Sequence, residues 1–159
     1  MSTFTREGFK WRETYFVLFE SKKRPTLKKI ERALSKVNSR FKLAAEQADS
    51  DGFFESVTLL SPEDFAAIDI SYESGEEVLE QGAALQKELR ANVCDDSEHS
   101  QLDRLPKLDA RFDVLHFEQT ASGEESDDLL DPGALLIVLE QLVDITQGVG
   151  VDPQSGTLV

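Results

Sequence analysis

The strongest constraint on the fold is an eleven-residue stretch near the N-terminus, Phe9-Lys-Trp-Arg-Glu-Thr-Tyr-Phe-Val-Leu-Phe19. Phe9, Trp11, Tyr15, Val17 and Phe19 recur at period two, which is the spacing of one face of a strand. From Thr14 onward the other face is apolar too, with Phe16 and Leu18. A strand apolar on both faces needs cover on both sides, so it belongs in the middle of a sheet rather than at its edge. Any architecture for the 159 residues must supply a sheet with two covered faces.

The elements that follow are marked by their own chemistry. Pro25 opens a helix where its missing N–H costs nothing, and Leu27, Ile30, Leu34 and Val37 form its buried stripe. Lys28, Arg32 and Lys36 run along another face of that helix, with Lys29 beside them. Phe41–Ala48 and Phe53–Leu60 alternate as two strands around Asp49-Ser50-Asp51-Gly52, a turn in which Gly adopts left-handed geometry without penalty. Ser61-Pro62-Glu63-Asp64 has the chemistry of one helical turn. Phe65–Glu73 alternates as a further strand, with Asp69, Ser71 and Glu73 on its polar side as on a solvent-facing edge strand. Glu76–Arg90 forms a second helix, with Val78, Gly82, Leu85 and Leu89 inward. Residues 91–110 and 119–131 are expected as acidic loops, separated by a strand at Arg111–Glu118. Asp131 caps and Pro132 opens a third helix, and Val149–Val151 and Thr157–Val159 flank a turn as a terminal hairpin.

This order predicts one α+β domain over 1–159. Its first six major elements resemble the ferredoxin-like βαββαβ unit, a mostly antiparallel sheet with two helices on one face. Here the unit is extended by an extra strand, a third apolar helix and the C-terminal β-hairpin. The resemblance rests on element order and carries no functional motif.

The third helix is apolar in every direction from Ala134 to Leu139, and Leu142, Val143 and Ile145 extend it. Such a helix is buried on more than one side. It either fills the sheet face left open by the first two helices or meets another protein surface. A homodimer or protein partner through Ala134 to Ile145 is therefore an expectation.

Charge divides the chain. Residues 1–43 hold twelve Lys/Arg against four Asp/Glu, and residues 44–159 hold five against twenty-seven, within a formal net charge of −14. A chain so acidic overall is repelled by nucleic acid at long range, which disfavours that partner. Basic and acidic segments are expected to pack beside one another. Nucleic-acid binding through Lys22, Lys23, Arg24, Lys28, Lys29, Arg32 and Lys36 is a third choice. Phe9, Lys10, Trp11 and Arg12 interleave aromatic and basic residues, but period two sends them to opposite faces. One cysteine, Cys94, excludes an intramolecular disulfide framework and points to a reducing, cytoplasmic compartment. No apolar run approaches the ~20 residues of a membrane span.

Candidate chemistry is sparse. His116 and Glu118 leave one strand face together and could act as an oriented base or share a ligand, with Tyr72 or Glu73 assisting. A metal needs further ligands, and His99 is the only other histidine, so no metal or cofactor is expected. Asp95, Asp96 and Glu98 disfavour a thiolate at Cys94. Aligned as a calcium loop on Gly52, the first and last ligand positions are Gln47 and Thr58, which are not carboxylates. Phosphate-loop, dinucleotide-binding, zinc-helix and serine-hydrolase motifs are absent. The leading expectation is a small non-catalytic interaction, regulatory or ligand-sensing module. The alternative is an enzyme of unassigned class centred on His116 and Glu118.

Overall fold

A computed structural model describes residues 9–37, 42–61, 66–92, 95–119 and 133–159. Within them the chain forms β1 (Phe9–Phe19), α1 (Leu27–Val37), β2 (Lys42–Ala48), β3 (Phe54–Ser61), β4 (Ala66–Ser74), α2 (Glu76–Arg90), α3 (Asp96–Arg104), β5 (Ala110–Gln119), α4 (Gly133–Thr146), β6 (Val149–Asp152) and β7 (Thr157–Leu158). The seven strands make one sheet in the order β2-β3-β4-β5-β1-β6-β7, and every ladder is antiparallel.

β1 lies between β5 and β6, as its two apolar faces require. Val17, Leu18 and Phe19 are all fully buried. Val17 and Phe19 enter a core with Ile30 and Leu34 of α1 and Leu135, Val138, Leu139 and Leu142 of α4. Leu18 enters a second core with Val78, Leu85 and Leu89 of α2, Leu102 of α3, Leu105 and Leu108. The protein is thus three layers deep, with α1 and α4 on one face of the sheet and α2 and α3 on the other.

That arrangement corrects the ferredoxin-like expectation in two ways. In such a unit β1 would neighbour the returning strand of the β2–β3 hairpin, yet β4 and β5 stand between β3 and β1. The extra strand is internal to the sheet. The first two helices also take opposite faces, because Phe16 and Leu18 need cover as much as Val17 and Phe19 do. α4 joins α1 instead of filling an empty face.

Two local expectations change as well. Residues 91–110 are not one loop. Asp95 accepts a hydrogen bond from the Glu98 N–H at 2.8 Å and caps α3, whose Leu102 is buried. β4 is not an edge strand, since β3 and β5 flank it. Its polar side is tied into pairs: Thr58 Oγ1 donates to Asp69 at 3.3 Å, and Arg111 bridges Glu73 at 2.5 Å and Asp113 at 2.6 Å. Burial raises the pKa of Asp113 against the pull of Arg111. Cys94, the 62–64 part of the expected helical turn and the acidic loop from residue 120 to 131 lie outside the described residues. Among the described residues no helix is long and apolar enough to cross a membrane.

The remaining elements follow the sequence pattern. Gly52 takes φ 86° in the β2–β3 turn, and the buried stripe of α2 is Val78, Gly82, Leu85 and Leu89. α4 ends when Gln147 turns left-handed, at φ 51°, and Gly148 donates back to the Val143 carbonyl at 3.1 Å, a closing bond of the Schellman type. Gly82 is inward because α2 must approach the Leu105 carbonyl; a Cβ there would collide with that backbone oxygen. Helix propensity alone favours Gly82→Ala by about 1 kcal/mol. We expect the substitution to lower stability instead, by about 1–3 kcal/mol as an overpacking change, measured by urea unfolding. A stabilised variant would contradict this packing.

Candidate functional site

His116 and Glu118 share the α1/α4 face of β5, at the end of the sheet where β1 begins. His116 pairs in register with Glu13 of β1 and with Ile68 of β4. A register shift between Trp11 and Glu13 brings Arg12 to the same face, where its Nε lies 3.3 Å from Glu118 Oε2. Tyr15 donates its hydroxyl to Glu13 Oε1 at 3.2 Å. Five polar side chains, Arg12, Glu13, Tyr15, His116 and Glu118, therefore cluster on two strands. Glu13, Arg12 and Tyr15 carried no functional signal in the sequence, because only the β1–β5 register sets them opposite His116.

The cluster is poorly solvated. His116 is 6% exposed. Its Nδ1 stands 3.6 Å from Glu13 Oε1, within ion-pair reach but too long for a hydrogen bond. His116 Nδ1 and Glu118 Oε1 are buried with no hydrogen-bond partner among the described residues. Burial holds the His116 pKa below its ordinary value, although Glu13 and Glu118 pull it the other way. The Tyr15 pKa is pushed up to about 12, first by burial and then by the charges of Glu13 and Asp152. The imidazole thus stands between two carboxylates, one of which Arg12 pairs with. Among the described residues no group of three or more His, Cys, Asp or Glu side chains could hold a metal ion.

The other candidates lie elsewhere. Tyr72 is on the same face but pairs with Phe112, four positions along β5 from His116 and so roughly 13 Å away. Its ring packs on Phe19 and Phe112 beneath the Arg24 guanidinium, 4.1 Å from the ring centre. Glu73 faces the opposite side and is held by Arg111. His99 is an exposed residue of α3, across the sheet from His116. The proposed assistants of His116 are therefore not assembled around it.

A different surface is assembled. On α4, Leu136 and Ile137 are 45% and 43% exposed, and Val159 beyond β7 is 48% exposed. Leu136, Leu139, Val143 and Val159 line a groove of about 390 Å³ with Glu140, Gln141 and Asp144. The basic row of α1 lies in the same helical layer. Arg24 and Arg12 find carboxylates, in Asp49 at 3.2 Å and Glu118, so basic and acidic segments do pair at those two points. Lys28, Lys29, Arg32 and Lys36 do not: all four are exposed, and none is within ion-pair distance of a carboxylate among the described residues.

No protein-family model matches the chain, and neither a curated protein nor a solved structure matches it significantly. The site has to be read from its own geometry.

The His116 cluster makes a pH prediction with a definite sign. A histidine whose folded pKa is depressed binds fewer protons folded than unfolded between that value and about 6.5, so stability falls as pH falls through this window. Asp69 and Asp113, raised by burial, act in the opposite direction at more acidic pH. We expect the unfolding free energy to decline below about pH 6.5 by up to about 1.4 kcal/mol per pH unit from this one group. In His116→Gln that component of the slope should vanish. An unchanged slope in the variant would assign the dependence to other groups.

Proposed function

We propose that this protein is a non-catalytic interaction module whose docking face is the outer side of α4 with the groove running to Val159. The observation that carries this reading is the groove lined by the exposed Leu136 and Val159, with the exposed Ile137 next to Leu136 on α4; these are three of the five exposed large apolar side chains among the described residues. A water-facing apolar cluster on a rigid element is the usual mark of a surface that another protein covers. α4 is well suited to the task. Its Leu135, Val138, Leu139 and Leu142 anchor it in the core, which leaves its outer residues free to meet a partner without disturbing the sheet. A reducing, cytoplasmic setting agrees with a single cysteine.

A second reading, a small enzyme centred on His116 and Glu118, draws on the buried Nδ1 and Oε1 that lack partners. It has less support, because Tyr72 and Glu73 stand apart from that pair and the imidazole is 6% exposed. Catalytic polar groups commonly reduce stability where they sit. His116→Ala should leave the melting temperature unchanged or raised if this reading holds, and a drop of several degrees would count against it.

The interaction reading is tested on the protein itself. We expect wild-type protein to self-associate in sedimentation equilibrium. The double substitution Leu136→Asp with Ile137→Asp should weaken that association at least tenfold, a change of about 1.4 kcal/mol or more. Because both residues face water, the melting temperature should move by no more than a few degrees. Association that survives the double substitution would overturn α4 as the docking face.

A further inference from the structure

The apolar groove leaves the basic row of α1 unexplained. Lys28, Arg32 and Lys36 stand four residues apart on the outward side of the helix, with Lys29 toward α4. Eight residues of helix are about 12 Å long, so these cations repel one another; Glu31, one turn from Lys28, is the one carboxylate of α1, and among the described residues it forms no ion pair with them. The wall of the neighbouring groove shows the reverse. Glu140 and Asp144, one turn apart on α4, are exposed at its rim and meet no cation among the described residues.

The two features stand at the same height in the molecule. Thr26 and Lys29, at the start of α1, share a concave surface with Ile145, at the end of α4. The helices therefore run in opposite directions, and the first turns of α1 lie level with the last turns of α4. α1 is on one side of α4, and the acidic groove, toward Val159, is on the other.

We infer that the docking face is occupied by a second copy of the chain, related by a two-fold axis running along α4. The inference rests on the reading of α4 as the docking face and adds the partner and the contacts that select it. Such an axis lays α4 on its counterpart through Ile137 and carries each α1 across to the far side of the partner's α4. There Lys28, Lys29 and Arg32 descend on Glu140 and Asp144 at the rim of the partner's groove. A two-fold interface makes this contact twice. An axis perpendicular to the helices would instead stack α1 on α1, opposing four cations to four. Like charges facing each other in this way disfavour that geometry. The net charge of −14 opposes association at long range, but it is screened beyond about 8 Å at physiological ionic strength, whereas the ridge and groove act at contact.

Charge reversal on both sides tests the pairing. One variant carries Lys28→Glu and Arg32→Glu; the other carries Glu140→Lys and Asp144→Lys. All four positions face water, and unchanged melting temperatures will show that both variants fold. Alone, each opposes like charges in its own dimer, and sedimentation equilibrium should show association weakened at least tenfold. Mixed in equal amounts, the two present opposite charges at both contacts, and a heterodimer of near wild-type affinity should form. Failure of the mixture to associate overturns the inference. So does wild-type association in either variant alone; if Leu136→Asp with Ile137→Asp still abolishes that association, the docking face stands and only the ridge-and-groove pairing falls. A wild-type protein that stays monomeric to about 100 µM, a free energy weaker than roughly −5.5 kcal/mol, overturns both. Binding of a single-stranded oligonucleotide that the Lys28→Glu, Arg32→Glu variant loses, with no association on mixing, assigns the ridge to nucleic acid and overturns the pairing with a second copy.

Discussion

Everything in this fold depends on burying β1 from both sides. Three consecutive side chains, Val17, Leu18 and Phe19, are fully buried, and consecutive residues of a strand point to opposite faces. No single helical layer can cover them. Each such side chain gains about 1.5–3 kcal/mol by leaving water, so an open face over Leu18 or over Phe19 would forfeit a substantial part of a stability that is itself only about 5–15 kcal/mol for a domain. The chain meets the demand with two helices on each side. Phe112 and Phe54 pack edge-on at 5.5 Å beneath α1 and α4, while Leu102, Leu105 and Leu108 close the other side beneath α2 and α3.

The polar cluster at the far end of the β1–β5 ladder follows from the same strand. Where β1 stops being apolar on both faces, a register shift at Arg12 places a guanidinium, two carboxylates, a phenol and an imidazole on a face that is otherwise core. The cost of charging the buried imidazole away from water lowers its pKa. Its neighbours satisfy one another in part: Tyr15 with Glu13, and Arg12 with Glu118. The polar groups of the cluster mainly face each other. The outer face of α4 is the opposite case, a rigid apolar surface in contact with water and bordered by acids.

Much of the architecture was legible from local chemistry. The limits of α2, its four inward residues and the left-handed Gly52 were all written in spacing and turn residues. So was the terminal hairpin, which extends the sheet through β6 on β1. α3 was hidden because its one buried apolar residue, Leu102, sits in an acidic stretch with too little period to read. The edge-strand reading of β4 failed because alternation reports two different faces and not which neighbours flank them; Asp69 and Glu73 are polar and still internal, each with a partner on the adjoining strand.

The candidate site was half legible. The shared face of His116 and Glu118 follows from the period of a strand, which any single strand reveals. Their company does not: Glu13 and Arg12 lie about a hundred positions away, and Tyr72 was excluded by roughly four residues of strand. What the sequence alone determined is the set of elements apart from α3, the two-sided burial of β1 and the apolar character of α4, because these depend on neighbours within a few residues. Which strands adjoin β1, which face each helix takes and which side chains surround His116 were decided only in the tertiary structure. Those depend on register and topology, and a chain with several apolar strands and helices can satisfy the same local patterns in more than one order.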